Sequence, residues 1–266
     1  MAGNEANGIK VASMSLIWGL REPGEIDLWL EETARAGYDG VTGFVDDFAP
    51  FFDRPSELAE RLSRHGLELA AVDSGLHADE EAYRRVFALM RELGCTIFVC
   101  IDRNVTKKDY AYYGRLLNEA GKIASEYGIA VHYHNHTAAV GETLTDMERL
   151  MEQTDPSLVR LMLDVGHATK DFVELAPAER AITFLERYWD RIHYLELKDW
   201  NGATDLNTPL GEGHADFDRI FALMQSGGYS GWLTVEQNGN DGASLGRSPF
   251  ECALTSRRFI RDRLGV

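Results

Sequence analysis

The chain has 266 residues, with 27 Lys+Arg against 43 Asp+Glu for a formal net charge of −16, and it is 44% hydrophobic and 26% charged. This length fits one (β/α)₈ barrel of about 250 residues or two small domains, and the apolar content suffices for a large core and excludes a disordered chain. The negative field repels phosphate backbones and anionic lipid, so neither nucleic acid nor a membrane is an expected partner, and a neutral or cationic small molecule is favoured.

Short apolar, β-rich runs alternate with helical stretches along the whole chain. The runs fall at about 9–18, 39–45, 67–74, 96–102, 129–135, 159–166, 191–198 and 231–237. Several helices between them stop at a glycine: ARAG at Gly37, SRHG at Gly66, RELG at Gly94 and SEYG at Gly128. Glycine takes the left-handed position after a helix at little steric cost, and these marks recur at roughly 30 residues, the size of one βα unit. After the fifth run, Leu144, Met147, Leu150 and Met151 outline a helix with Thr143 as its N-cap. After the seventh, Phe217, Ile220, Phe221 and Met224 recur at i, i+3, i+4 and i+7. The last helix starts at Pro249, a good first-turn residue, and runs to about Leu264.

Eight strands alternating with eight helices imply a parallel sheet. A closed (β/α)₈ TIM barrel, one α/β domain over residues 1–266, is the expected fold. An open doubly wound sheet is the alternative, but SLIWGLREPGE at the end of the first strand lacks its GxGxxG turn. Cys95, Cys100 and Cys252 have no zinc spacing, and an odd count argues against a disulfide framework. The opening MAGNEANG has neither part of a secretory signal, and no apolar run approaches about 18 residues, so a cytoplasmic protein is expected. A homo-oligomer is left open.

A buried parallel strand should read Val/Ile/Leu almost throughout, and in a barrel the active site lies at the C-terminal strand ends. Four late strands break the apolar rule there. In IAVHYHNH, His132 and His134 share one face and His136 continues it; VRLMLDVGH places Asp164 after an apolar run; RIHYLELKDW puts Glu196 and Lys198 on one face; GWLTVEQN ends near Glu236. With these faces inward, His134, Asp164, Glu196 and Glu236 crowd three carboxylates into one mouth, where they repel unless a divalent cation joins them. Oxygen-rich ligation with one imidazole suits Mn²⁺, with Zn²⁺, Co²⁺, Fe²⁺ and Mg²⁺ as further candidates. The structural alternatives are a hydrogen-bonded core histidine, Asp164 capping the next helix, an ion pair between Glu196 and Lys198, and Glu236 at the rim.

The chain resembles the xylose-isomerase-like barrel superfamily of sugar isomerases and epimerases, inosose dehydratases and endonuclease IV. The resemblance covers nearly the whole chain and rests on YHNH at 133–136, LDVGH at 163–167, LKDW at 197–200, LGEG at 210–213 and GYSGWLTVEQ at 228–237. It implies a metal held by Glu, Asp, His and Glu on strands five to eight. Asp164 and His167 match the DxxH motif and Glu236 the final Glu, whereas His134 stands where the family has Glu and Glu196 where it has His. The two departures exchange ligand types and keep the total charge. Glu142 is the fallback carboxylate. Endonuclease IV chemistry is disfavoured by the −16 charge and the lack of matching early histidines.

A cation at this mouth polarises a carbonyl and stabilises the enediolate left when an α-proton leaves. The expected activity is a metal-dependent sugar or cyclitol isomerase or epimerase, with a lyase of the inosose dehydratase or 3-keto-glycoside-cleaving type as runner-up. A non-catalytic sugar-binding accessory subunit is the reading from another class. Glu236 is the expected base, His167 the proton donor or the group orienting Asp164, and Lys198 the oxyanion partner. Asn135, His136 and Trp200 are expected to line the substrate pocket.

Overall fold

Eight strands follow the periodic runs of the sequence in a computed structural model that describes residues 8–19, 25–77, 79–202, 206–238 and 246–266. They are β1 (Ile9–Met14), β2 (Gly40–Phe44), β3 (Glu68–Gly75), β4 (Ile97–Ile101), β5 (Ala130–His134), β6 (Val159–Asp164), β7 (Ile192–Leu197) and β8 (Gly231–Val235). Each is parallel to the next, and β1 pairs with β8 from Ile9–Gly231 to Ser13–Val235, which closes the barrel and excludes the open sheet.

The helices are α1 (Ile26–Ala36), α2 (Val45–Phe48), α3 (Pro55–Arg64), α4 (Glu80–Glu92), α5 (Tyr110–Ser125), α6 (Leu144–Met151), α7 (Val165–Asp171), α8 (Pro177–Arg187), α9 (Phe217–Ser226) and α10 (Pro249–Leu264). The short α2 and α7, starting directly at the ends of β2 and β6, are additions to the expected helices. Thr143 caps α6 as expected: its hydroxyl accepts from Asp146 N–H at 3.2 Å while Asp146 accepts from Thr143 N–H at 3.1 Å. The four glycines after helices are left-handed, with φ of 87° at Gly37, 66° at Gly66, 70° at Gly94 and 74° at Gly128. α9 buries Phe217, Ile220, Phe221 and Met224, the stripe its periodicity marks.

Two of the apolar runs continue past their strands into another element. β1 stops at Met14, and Ser15–Ile17 form a 3₁₀ turn whose Ser15 hydroxyl donates to Asp47 Oδ2 at 2.6 Å. β6 stops at Asp164, which caps α7. Ile17 and Val165 are buried in those turns, so the run of apolar residues reports burial rather than extended backbone.

Most of the core lies between sheet and helices, where Trp29, Leu30, Phe87, Phe98, Leu117 and Phe184 are fully buried, each contributing about 2–3 kcal/mol relative to exposure. Inside the barrel, Ala71, Val99, Met162 and Tyr194 form a second apolar cluster. Beside it Thr42 Oγ1 lies 2.9 Å from Thr234 Oγ1 and 3.2 Å from the Tyr194 hydroxyl. This layer is the floor of the mouth. The next inward residue on each strand stands on it.

Candidate active site at the barrel mouth

Two residues beyond Met162 and Tyr194, the inward positions hold Asp164 and Glu196, which are register partners on β6 and β7. His134, two beyond His132 on β5, completes a group: one ligand atom from each of His134, Asp164 and Glu196 lies within 4.8 Å of the others, and all three residues are buried. His134 Nε2 is 3.3 Å from Asp164 Oδ2. Asp164 Oδ1 accepts the backbone N–H of His167 at 2.9 Å, so Asp164 both caps α7 and turns its second oxygen to the mouth.

Both Glu196 carboxyl oxygens, His134 Nδ1 and His167 Nε2 are buried without a hydrogen-bond partner among the described residues. Each such group costs about 1–3 kcal/mol, more if charged. Two carboxylates and an imidazole with unused lone pairs, gathered at one point, fit a divalent cation.

Glu236 stands outside this group. Its Oε1 accepts a hydrogen bond from the Lys198 ammonium, and both side chains are buried. Lys198 therefore pairs with Glu236 on the neighbouring strand, not with Glu196 two residues before it. Gly166 of DVGH lets Lys198 sit there, because a Cβ at Gly166 would lie 2.7 Å from Lys198 Cγ and 3.0 Å from its carbonyl carbon.

Charges follow from this packing. Burial opposes the anion of Asp164, but the His167 ring, the Lys198 ammonium and the His134 hydrogen bond outweigh it and hold its pKa below the ordinary carboxylate range. Glu196 is pushed well up by burial, then by the Glu236 and Asp164 charges. Burial acts to strip the proton from Lys198, yet Glu236, Asp164 and Glu196 together hold it above its ordinary value, so it remains an ammonium. His167 is held neutral by burial. Thr137 N–H donates to His167 Nδ1 at 3.2 Å, which leaves the ring proton on Nε2, 3.7 Å from Asp164 Oδ2.

The other expected residues occupy varied places. Asn135 is fully buried and its amide is spent on Asp164: Nδ2 donates to the Asp164 carbonyl at 3.0 Å, and Oδ1 accepts the Asp164 N–H at 2.9 Å. His136 is half-buried, its ring 3.9 Å from the His167 ring centroid, and burial pushes its pKa down to about 3. Trp200 is half-buried against His214, with ring centroids 5.8 Å apart. Its backbone N–H donates to the Asp199 side chain, which also accepts from the backbone of Gly211, Gly213 and Ala215, so LKDW and LGEG are two ends of one hydrogen-bonded loop. His132 lies in the floor, 6.1 Å from the Tyr194 ring, with Nδ1 3.1 Å from the Ala130 carbonyl. Glu142 accepts from Ala138 N–H at 3.1 Å and from Lys108 at 3.2 Å, engaged on the loop after β5.

Across the mouth, above β2, β3 and β4, lies a cleft of about 740 Å³ that includes Phe44, Asp47, Asp73, Asp102 and Arg103 in its walls. Sequence reasoning passed over Asp73, although LELAAVDSG carries the same signal as LMLDVGH: one carboxylate ending an apolar strand. Asp73 is raised by burial and then by the Glu236 charge, which couples this wall electrostatically to the Lys198–Glu236 pair.

Comparison with known proteins places this geometry. The chain is 30% identical over 181 residues to an inosose dehydratase of Bacillus anthracis, a match that covers 60% of this chain and 57% of that protein. The chain thus spans somewhat more than half the length of the curated relatives it matches. A solved structure of a sugar phosphate isomerase/epimerase from Parabacteroides distasonis superposes with a TM-score of 0.75 at 21% identity, covering 98% of each chain. That of the IolI protein with a bound zinc atom gives 0.73 at 20% identity, over 96% of this chain and 98% of the other. At such identities these two show the common fold. The xylose isomerase-like TIM barrel family matches residues 30–262, and the chain belongs to that family.

Proposed function

We propose that this chain is a divalent-metal-dependent isomerase or epimerase of a sugar or cyclitol, and that its reaction starts with removal of a proton α to a carbonyl. The observation that carries the reading is the buried His134–Asp164–Glu196 group within 4.8 Å, with both Glu196 oxygens unpartnered. The zinc atom of IolI and the inosose dehydratases among the relatives support it.

His134, Asp164 and Glu196 would hold the cation, with Glu236 as the fourth candidate. The donor set favours Mn²⁺, and Zn²⁺ is the ion of the IolI structure. When bound, the cation supplies Lewis-acid polarisation of the substrate carbonyl. Glu236 takes the α-proton, with Lys198 fixing Oε1 and leaving the second oxygen for carbon. The proton held on Glu236 is the one returned to carbon, and His167, neutral with its proton on Nε2, donates a hydrogen bond to a substrate oxygen. The remaining N–H groups of Lys198 reach a substrate oxygen. Asn135 is a positioning residue acting through Asp164, and His136 and Trp200 line the outer mouth.

A lyase is the second reading, because the matched curated relatives are dehydratases. Loss of a β-hydroxyl after the same proton removal gives that outcome. Protein stripped with chelator and reloaded with Mn²⁺ is incubated with ketoses, aldoses and inososes in D₂O. Deuterium is expected at one α-carbon, and Glu236→Gln is expected to stop its entry. A product absorbing as a conjugated enone or diketone moves the assignment to lyase, and no exchange with any member of the panel overturns the proposal.

A further inference from the structure

Asp73 is an expensive residue to keep. It stands on the inner face of β3, 2% exposed, and its Oδ1 has no hydrogen-bond partner among the described residues. The other carboxylates of the cleft differ from it. Asp47 Oδ2 accepts from the Ser15 hydroxyl at 2.6 Å and Phe44 N–H at 2.8 Å. Asp102 accepts from the Tyr133 hydroxyl at 2.7 Å and Val140 N–H at 2.8 Å, holding the loop after β5. Asp46, the fourth, is exposed at the rim. Asp73 has no such hydrogen-bonded task among the described residues, and it lines the 740 Å³ cleft above β2, β3 and β4. A buried polar group without a partner is destabilising, and such a group persists where something outside the chain completes it.

Charge narrows the occupant. Asp46, Asp47, Asp73 and Asp102 line the cleft with Arg103, whose guanidinium lies over the Phe44 ring, 5.3 Å from its centroid. A phosphate dianion entering this wall meets four carboxylates and one guanidinium. A polyol meets hydrogen-bonding groups at the wall and the metal group beyond.

We propose that Asp73 is the specificity residue of this site: its carboxyl group hydrogen-bonds a hydroxyl of an unphosphorylated polyol that spans the cleft to the metal group, and the acidic wall excludes the phosphate ester of the same sugar. This rests on the sugar or cyclitol reading above and extends it to the part of the substrate remote from the metal.

The test separates binding from chemistry. Calorimetric titration of Mn²⁺-loaded protein uses D-fructose, an inosose and D-fructose 6-phosphate as probes, on wild type, Asp73→Asn and Asp73→Ala. At least one unphosphorylated polyol is expected to bind, with the phosphate ester at least tenfold weaker. Asp73→Ala is expected to weaken polyol binding about tenfold, the loss of one good hydrogen bond. Its Mn²⁺ affinity stays within twofold. Both variants are expected to melt higher than wild type when free of ligand, since they remove an unpartnered buried carboxyl; a merely structural Asp73 gives the opposite shift. Equal binding by Asp73→Ala, equal binding of the phosphate ester, a lower melting point in both variants, or no binding by any unphosphorylated probe overturns the inference. Deuterium exchange in the same samples keeps the two claims apart. Exchange that is indifferent to Asp73 removes this inference alone, and Asp73-dependent binding without exchange removes the isomerase reading alone.

Discussion

Lys198 and Glu236 form an ion pair sealed inside the barrel mouth, with side chains 1% and 6% exposed. Removing one partner of such a pair strands a buried charge, at a cost of about 3–5 kcal/mol. Lys198→Met is therefore expected to destabilise the metal-free protein by that order, because Glu236 loses the buried ammonium that its Oε1 accepts from. Adding Glu236→Gln to it is expected to recover part of the loss. Urea unfolding of the two single variants and the double variant gives the coupling directly, and additive effects would contradict a direct pair.

Metal affinity discriminates among the carboxylates and histidines. His134→Gln, Asp164→Asn and Glu196→Gln are each expected to weaken Mn²⁺ binding by at least about tenfold. Glu142→Gln is expected to leave it unchanged, because Glu142 is occupied by Ala138 N–H and Lys108. His65→Ala, at the end of α3, serves as a remote control. Mn²⁺ titration followed by spin resonance reads affinity, and the thermal shift on adding metal reads the same linkage independently.

Asn135 tests positioning. Asn135→Ala leaves the Asp164 N–H buried without its partner and takes one of two from the Asp164 carbonyl, which also accepts in the first turn of α7, an expected loss of about 1–3 kcal/mol. Asn135→Asp keeps the acceptor but sets a buried carboxylate oxygen against the Asp164 carbonyl, and a loss at least as large as that of Ala is expected. Chemical denaturation checks both, and a stability change under 0.5 kcal/mol for Ala would remove the positioning role.

The raised pKa of Glu196 has a signed consequence. Burial, then the Glu236 and Asp164 charges, hold its folded value above an unfolded value of about 4.3. Between those two values the folded state binds more protons, so this residue's contribution to stability is complete below about 4.3 and falls as pH rises through the folded value. Metal-free Glu196→Gln is thus expected to gain stability over wild type progressively as pH rises above the unfolded value of about 4.3, read as the difference in thermal midpoints. Mn²⁺ needs the anion, so binding releases a proton and tightens with pH. Calorimetry in two buffers of different ionisation enthalpy measures that proton, and a buffer-independent enthalpy counts against ligation by Glu196.

Much of this was legible from local pattern. The glycines after helices, the Thr143 and Pro249 helix starts and the α9 stripe are backbone and side-chain preferences acting within a few residues, so spacing alone located the elements. Two-residue alternation put His134, Asp164 and Glu196 on the inner face, because strand side chains change face at every step. The strand ends were misread at Ser15 and Val165, where apolar residues continue into buried turns.

Partnership was decided only by closure of the barrel. Glu196 and Lys198 share a face of β7, yet residues two apart along a strand are separated by about 6.6 Å, while neighbouring strands lie about 4.8 Å apart. Lys198, just past β7, therefore takes Glu236, just past β8, and Glu196 is left with no hydrogen-bond partner among the described residues, free for the metal group. Asp73 comes under the charge of Glu236 through the same closure, since β3 and β8 are not neighbours in the sheet and face each other only across the barrel interior. Sequence by itself determined the eight βα units and which residues face inward. The tertiary structure decided which of those inward charges are paired and which are left for a ligand, because lateral strand spacing and the stagger of the closed sheet, not distance along the chain, set their contacts.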